Sequence, residues 1–338
     1  MSTRCASHAG SWYPLSHEAL DTCLNECMKA ARAAQASASL PVAQHPMVHG
    51  CRAIIAPHAG YRFSGRAAAS AYGCIDPDTV DRVFVLGPSH RVYLEGCALS
   101  PFSYLATPLG LLPVDTQAIE ELHSSGLFTF MSTDVDQAEH SIEMHLPYIY
   151  KVWSGRPVQV VPILVGQLST DACREYALCL AEYFADPRTL FIISTDFCHW
   201  GDRFRYTRYQ APEDEPVVLS CDTKHHIREY FPIHQSIAAI DAECMAAISF
   251  GREGAALART QYLESLQRTH NTICGRYPIV LLLTILELLE EAEYAFECRF
   301  THYEQSSACE SLDDSSVSYA SAYVRSLSQS GLDASRLT

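Results

Sequence analysis

The chain has 338 residues, with 39 acidic against 24 basic side chains and a formal charge of −15. That balance, without any cluster of Lys and Arg, excludes a nucleic-acid or anionic-membrane surface, because both need concentrated positive charge. The length allows an ample core without disulfides or structural metal, and it leaves one large α/β domain or two average ones open.

The N-terminal MSTRCASHAGSWYP lacks an apolar stretch of signal-peptide length, so secretion is not expected. The apolar run Ile279–Leu283 ends before Glu287, far short of a membrane span. The 14 cysteines are scattered without CxxC spacing. That pattern suits a cytoplasmic protein whose reduced thiols mostly fill the core.

In chain order, residues 5–13 read as a loop around His8 and Trp12. Ser16 is placed to cap a helix in which Leu20, Cys23, Leu24, Cys27, Met28 and Ala31 keep an amphipathic period. Residues 35–50, rich in Ala, Ser, Pro and His, read as a flexible surface insertion. Three apolar runs, each ending in a histidine-bearing loop, organise the rest of the chain: Ala53–His58, Val83–His90 and Leu190–His199. Without polar alternation they suit strands covered on both faces of a parallel sheet, and Val158–Val165 is a fourth such strand without a histidine.

Between these runs the spacing predicts a small-residue helix over Ser64–Tyr72, short strands over Cys97–Tyr104 and Leu109–Pro113, and helices capped by Asp115 and Ser169. Asp134–Tyr148, dense in acids and histidines, reads as a short helix or an ordered loop. Residues 209–232 have no sustained period and read as an insertion or boundary. Helices are predicted around Ile237–Ile248, Ala255–Arg268 and Ile279–Glu290, the last with Pro278 in its first turn. Tyr294–Phe300 alternates like an antiparallel strand, and the tail from Ser326 reads as loose.

Side chains just past the carboxyl ends of neighbouring parallel strands converge on one crevice. His58, His90, Asp196 and His199 are therefore expected to be neighbours. With Cys274, which stands just before a helix whose dipole favours a thiolate, His58 and His90 form a candidate metal site with open positions. The same residues also fit structural duty, with the histidines capping strand ends and the cysteine filling the core.

Asp196 and His199 read either as an acid/base pair or as a turn cap beside a ring stacked on Trp200. The histidines of EHSIEMH are five residues apart and share no helical face. Glu139, His140, Glu143 and His145 are thus expected to support the site from beneath rather than to form an HExxH zinc helix. His8, His225, His226 and His270 read as solvated or structural. Cys274 activated as a nucleophile is a third use of the same residue.

APHAGY at 56–61, LGPSH at 86–90, EHSIEMHLPY at 139–148, DFCHWG at 196–201, HNTICGR at 270–276 and DSSVSYA at 314–320 together resemble the Memo family. That family is named for a mediator of cell motility driven by a receptor tyrosine kinase. The likeness runs in order from about His8 to Tyr323. Its departures are residues 35–50, 209–232 and the tail 326–338.

The resemblance implies a single α/β domain over residues 1–338, with a mostly parallel central sheet flanked by helices, similar to class III non-haem-iron extradiol dioxygenases. In those enzymes two histidines and a glutamate hold iron and a further histidine is the acid/base. By position His58 and His90 match the ligand histidines, His199 the acid/base, and Cys274 stands where the glutamate would be. A thiolate is a softer ligand, so the resemblance points to iron or copper, with zinc also compatible, and does not carry ring cleavage over.

The resemblance supports two expectations of function. One is a metal-binding redox protein, an iron- or copper-dependent oxidoreductase acting on a small molecule. The other is a non-enzymatic signalling adaptor whose crevice binds a phosphotyrosine-containing peptide. For the second, Arg62, Arg66 and Arg276 are the residues placed to receive an anion.

Overall fold

A computed structural model of the chain describes residues 2–37, 47–154 and 156–327. A two-residue strand β1 (Thr3–Arg4) precedes helix α1 (His17–Ser37), so the helix extends past the point where the sequence pattern ends it. Residues 38–46 of the expected insertion lie outside the described residues, as does the expected tail beyond Leu327. Strand β2 (Cys51–Ala56), helix α2 (Tyr61–Tyr72) and strand β3 (Arg82–Pro88) come next.

Short strands β4 (Cys97–Leu99), β5 (Tyr104–Thr107) and β6 (Gly110–Pro113) lead to α3 (Thr116–Ser124) and β7 (Thr129–Phe130). The acid- and histidine-rich stretch forms three short helices, α4 (Thr133–Ala138), α5 (His140–Glu143) and α6 (Leu146–Val152). Then come β8 (Gln159–Val165), α7 (Thr170–Ala185), β9 (Thr189–Ser194) and β10 (His199–Trp200). A hairpin of β11 (Arg208–Tyr209) and β12 (Val217–Val218) precedes α8 (Ile233–Ile248), α9 (Ala255–Thr269) and α10 (Arg276–Glu291). The long antiparallel pair β13 (Phe296–Gln305) and β14 (Ser316–Ser326) ends the described chain.

Among the described residues the main sheet runs β10-β14-β2-β9-β3-β8-β4-β7, with β13 on β14. Its centre, β2-β9-β3-β8, is parallel. Its flanks are antiparallel, β14 against β2 and β4 against β8. Every residue of β9 is buried, and so are Val83–Pro88 of β3, which requires cover on both faces and explains the unbroken apolar runs.

Helices α7 and α10 pack together against β3 and β9, while α2 lies on β2, β13 and β14 with α1 outside it. Apolar almost all round, α10 buries Ile279, Leu282, Ile285, Leu286 and Leu289. Each such side chain contributes about 1.5–3 kcal/mol on leaving water. Phe84 stacks on Phe191 at 4.6 Å between centroids, fixing β3 beside β9. The expected caps form: Asp115 Oδ1 accepts from Ala118 N at 3.0 Å and Ser169 Oγ accepts from Ala172 N at 3.2 Å.

Residues 209–232 bury Tyr209, Ala211 and Leu219 with Trp200, Ile233 and Ile237 in a small separate apolar cluster. The chain order positions the site. From β2 the chain skips a place to β3, and β9 later fills the gap. Loops leaving the carboxyl ends of these three strands diverge around the vacancy above β9, which is a topological switch point.

Candidate metal centre

Pro57 and Gly60 end β2 and turn His58 over the sheet, where it is 2% exposed. Its Nδ1 lies 2.6 Å from Ser194 Oγ, at the end of β9. That hydroxyl donates its own proton to Ser141 O at 2.6 Å, so it accepts from His58 Nδ1–H and leaves the Nε2 lone pair free. On the next loop His90 Nδ1 sits 2.9 Å from Glu139 Oε1, and His90 N donates to Glu139 Oε2 at 2.7 Å. The carboxylate therefore orients this ring the same way, Nε2 outward.

Cys274 arrives 216 residues after His58 and places Sγ 3.3 Å from His58 Nε2. Its loop is held against β9: Cys274 N donates to Asp196 O at 3.3 Å and Gly275 N to Thr195 Oγ1 at 3.0 Å. Only glycine fits at 275, since a Cβ would lie 2.3 Å from Thr195 Cβ and 2.5 Å from Ser194 O. The ligand atoms of His58, His90 and Cys274 all lie within 4.8 Å of one another. Two imidazole Nε2 atoms and a sulfur gathered in this way, with both rings oriented from behind, fit a divalent first-row metal or Cu(I).

Burial, reinforced by the neighbouring imidazoles, pushes the His58 pKa well below its usual range and keeps the ring neutral. Burial also opposes charge on His90, but the bonds its ring donates to Cys274 and Glu139 outweigh it and lift the ring to about 10, so a metal bound there would displace the proton from Nε2. Glu139 is correspondingly held at about 2, its own burial overcome by the His90 bond. Asp196 is 4% exposed, and burial raises its pKa. Its Oδ1 accepts from His58 N at 2.9 Å, which ties β9 to the β2 loop.

His199 has Nδ1 against Phe197 O at 2.8 Å and Thr272 O at 3.1 Å. Two carbonyls can only accept, so Nδ1 carries the proton and Nε2 is the basic atom in the cleft. The ring meets Phe204 edge-on at 5.2 Å, not Trp200, because Trp200 turns into the small apolar cluster and donates to Arg208 O.

These groups line a cleft of about 710 Å³ whose far wall is the N-terminal segment Gly10–Pro14. His58, His90, Asp196 and His199 all face it. His140, expected to support the site from beneath, lines the cleft itself. His140 stacks on His90 at 4.4 Å and lies against Trp12 at 4.5 Å, with burial pushing its pKa down to about 3. His8, expected to be solvated or structural, is structural: it is 7% exposed and bonds Glu143 through Nδ1 at 2.9 Å.

Of the EHSIEMH group, Glu139 and His140 touch the site, whereas Glu143 faces the N-terminal segment and His145 bonds Tyr72 OH at 3.0 Å. The arginine expectations need correction. Arg62 lines the cleft, but Arg66 is bound to Glu304 at 3.0 Å. Arg276 lines a second pocket, shared with His90 and Cys274. The other cleft arginine is Arg203, brought in by the turn after β10.

The architecture is that of an α/β protein with an imidazole–thiol cluster in the crevice at the carboxyl ends of its parallel strands. The description "Memo-like protein" matches residues 4–323. Protein MEMO1 of Xenopus laevis is 42% identical over 319 residues, covering 94% of this chain and 95% of that one. The Danio rerio protein of the same name is 42% identical over 95% of this chain and 96% of its own. The Homo sapiens one is 39% identical over 94% and 95%. The chain belongs to the Memo family, which shares the extradiol-dioxygenase-like fold.

Proposed function

We propose that this Memo-family protein is a metal-binding redox protein, an iron- or copper-dependent oxidoreductase with ligands His58, His90 and Cys274. The observation that carries this reading is the pair of anchored rings, each with Nδ1 tied back and Nε2 turned toward the same sulfur. A structural histidine needs no such pairing of orientation. Bound there, iron or copper would supply one-electron chemistry and an open position for a small molecule. The chain's own part is acid–base and positional: His199 Nε2 holds or takes a proton at the cleft, and Trp12 and His140 close the opposite wall.

The test is metal content after anaerobic purification of the parent, His58→Ala, His90→Ala and Cys274→Ala. The parent is expected to carry stoichiometric metal and each variant to lose it. Unchanged stoichiometry in all three ends the proposal.

A second reading is favoured by Arg62 and Arg203, which flank the cleft with no carboxylate partner among the described residues and lie over Phe63 and Phe204 at 4.2 and 4.3 Å. Two free guanidinium groups suit a phosphate dianion. In this reading the chain is a signalling adaptor that binds phosphotyrosine-containing peptides. Calorimetric titration with phosphorylated and plain peptides decides it, and equal binding, or none, rejects it.

A further inference from the structure

Cys23 and Cys27 stand one turn apart on α1, on the face turned toward the body of the protein. Cys23 lines the 710 Å³ cleft. Cys27 is seated against α2 at Gly65, where a Cβ would come within 2.7 Å of its sulfur, and interacts with the Tyr148 hydroxyl. Both side chains are half-buried, and neither is used by the His58–His90–Cys274 cluster.

We propose that Cys23 and Cys27 form a second metal site in the wall of the same cleft, one that takes a single soft monovalent cation such as Cu(I) between two sulfurs. Residues four apart on a helix hold their Cβ atoms about 5–6 Å from each other. A disulfide needs about 3.5–4.5 Å, so the helix resists closing one. Two metal–sulfur bonds of about 2.3 Å each, the length found in zinc thiolates, bridge the same gap without moving the backbone.

The donor set selects the ion. No third His, Cys, Asp or Glu joins the pair among the described residues. A tetrahedral zinc would be under-coordinated there, whereas soft thiolates favour Cu(I). Of the two thiols only Cys27 is inclined to ionise. The Cys23 thiol, the larger effect, together with Tyr148 brings Cys27 down to about 7, while Cys23 is raised by donating to it. One proton is thus shared between the two sulfurs near neutral pH. Binding releases that shared proton as the two Cu–S bonds form, and no electron is transferred.

The experiment is anaerobic titration with Cu(I) against a chromophoric chelator, for the parent, Cys23→Ser, Cys27→Ser and Cys274→Ser. The two α1 variants are expected to take up one equivalent fewer than the parent, and Cys274→Ser is expected to keep that equivalent. Because Cys27 is packed against α2, the same question is put without altering the pair. Cys274→Ser protein, loaded with one equivalent of Cu(I), is alkylated and mapped by mass spectrometry. Protection of both Cys23 and Cys27 supports the site. Protection of neither, or equal copper uptake in the parent and both α1 variants, overturns it. None of these outcomes depends on whether His58, His90 and Cys274 hold a metal.

Discussion

Glu143→Gln is the most demanding test of how the cleft is walled. Glu143 is fully buried, and its oxygens accept from Arg4 Nη1 at 2.6 Å, His8 N at 2.8 Å, His8 Nδ1 at 2.9 Å and Tyr13 OH at 2.7 Å. Burial alone would raise its pKa. The His8 bond, the Arg4 charge and the Tyr13 bond outweigh burial and hold it at about 2, against an ordinary 4.5. At about 1.4 kcal/mol per pH unit the gap corresponds to about 3 kcal/mol, the lower end of the ~3–5 kcal/mol lost when one partner of a buried pair is removed.

The glutamine is neutral and can present its oxygen to only some of these donors. Asp136, 2.8 Å away, is then the one carboxylate paired with Arg4 among the described residues, beside the carbonyls of Cys5 and Glu139. A depressed carboxylate stabilises the fold above its unfolded pKa and loses that contribution as pH falls through the folded one. Guanidinium denaturation should therefore show the variant about 3 kcal/mol less stable at pH 7, with the difference closing between about pH 4.5 and pH 2. Amide exchange in residues 6–14 should quicken while β2 and β9 stay protected. A loss below about 1 kcal/mol, or a difference that persists unchanged to about pH 2.5, refutes the argument.

Glu139→Gln leaves all three proposed ligands in place but weakens the orientation of His90, so metal affinity should fall about 10–100-fold in a chelator competition; an unchanged affinity counts against the orienting role. Gly275→Ala should cost about 1–3 kcal/mol through overpacking and also lower metal uptake, because its Cβ meets Thr195 and displaces the Cys274 loop; normal stability and uptake would show that the loop yields. Asp241, buried beneath the site, accepts from Asn271 Nδ2 at 2.9 Å, Cys198 N at 3.2 Å and Tyr303 OH at 2.9 Å, yet burial lifts it to about 6. The folded state keeps a proton the unfolded chain has lost, so the Asp241 contribution to stability is full below pH 3.8 and declines by about 3 kcal/mol as pH rises through about 6. Asp241→Asn should flatten that decline in a series of denaturation curves, and parallel curves for parent and variant exclude the assignment.

The strands were legible because each buries both faces, and a run such as Leu190–Ile193 has no polar residue to offer solvent. The caps at Asp115 and Ser169 were legible for a local reason, a side-chain oxygen three residues before the amide it serves. The role of EHSIEMH was only half legible. One short turn separates Glu139 and His140, which reach the site, from Glu143 and His145, which do not, and sequence spacing cannot choose the direction of so short a helix. Arg66 was misjudged for another reason, since whether a guanidinium is free depends on a carboxylate such as Glu304, 238 residues away.

By itself the sequence determined the apolar strands, the order of helices and the three loops that carry His58, His90 and His199, because burial pattern and capping act over a few neighbouring residues. Tertiary structure alone decided which nitrogen of each ring faces the cleft, which wall encloses it and that Cys274 meets His58 across 216 residues. Those outcomes rest on single hydrogen bonds between distant segments, and no local pattern encodes where such a partner will come to lie.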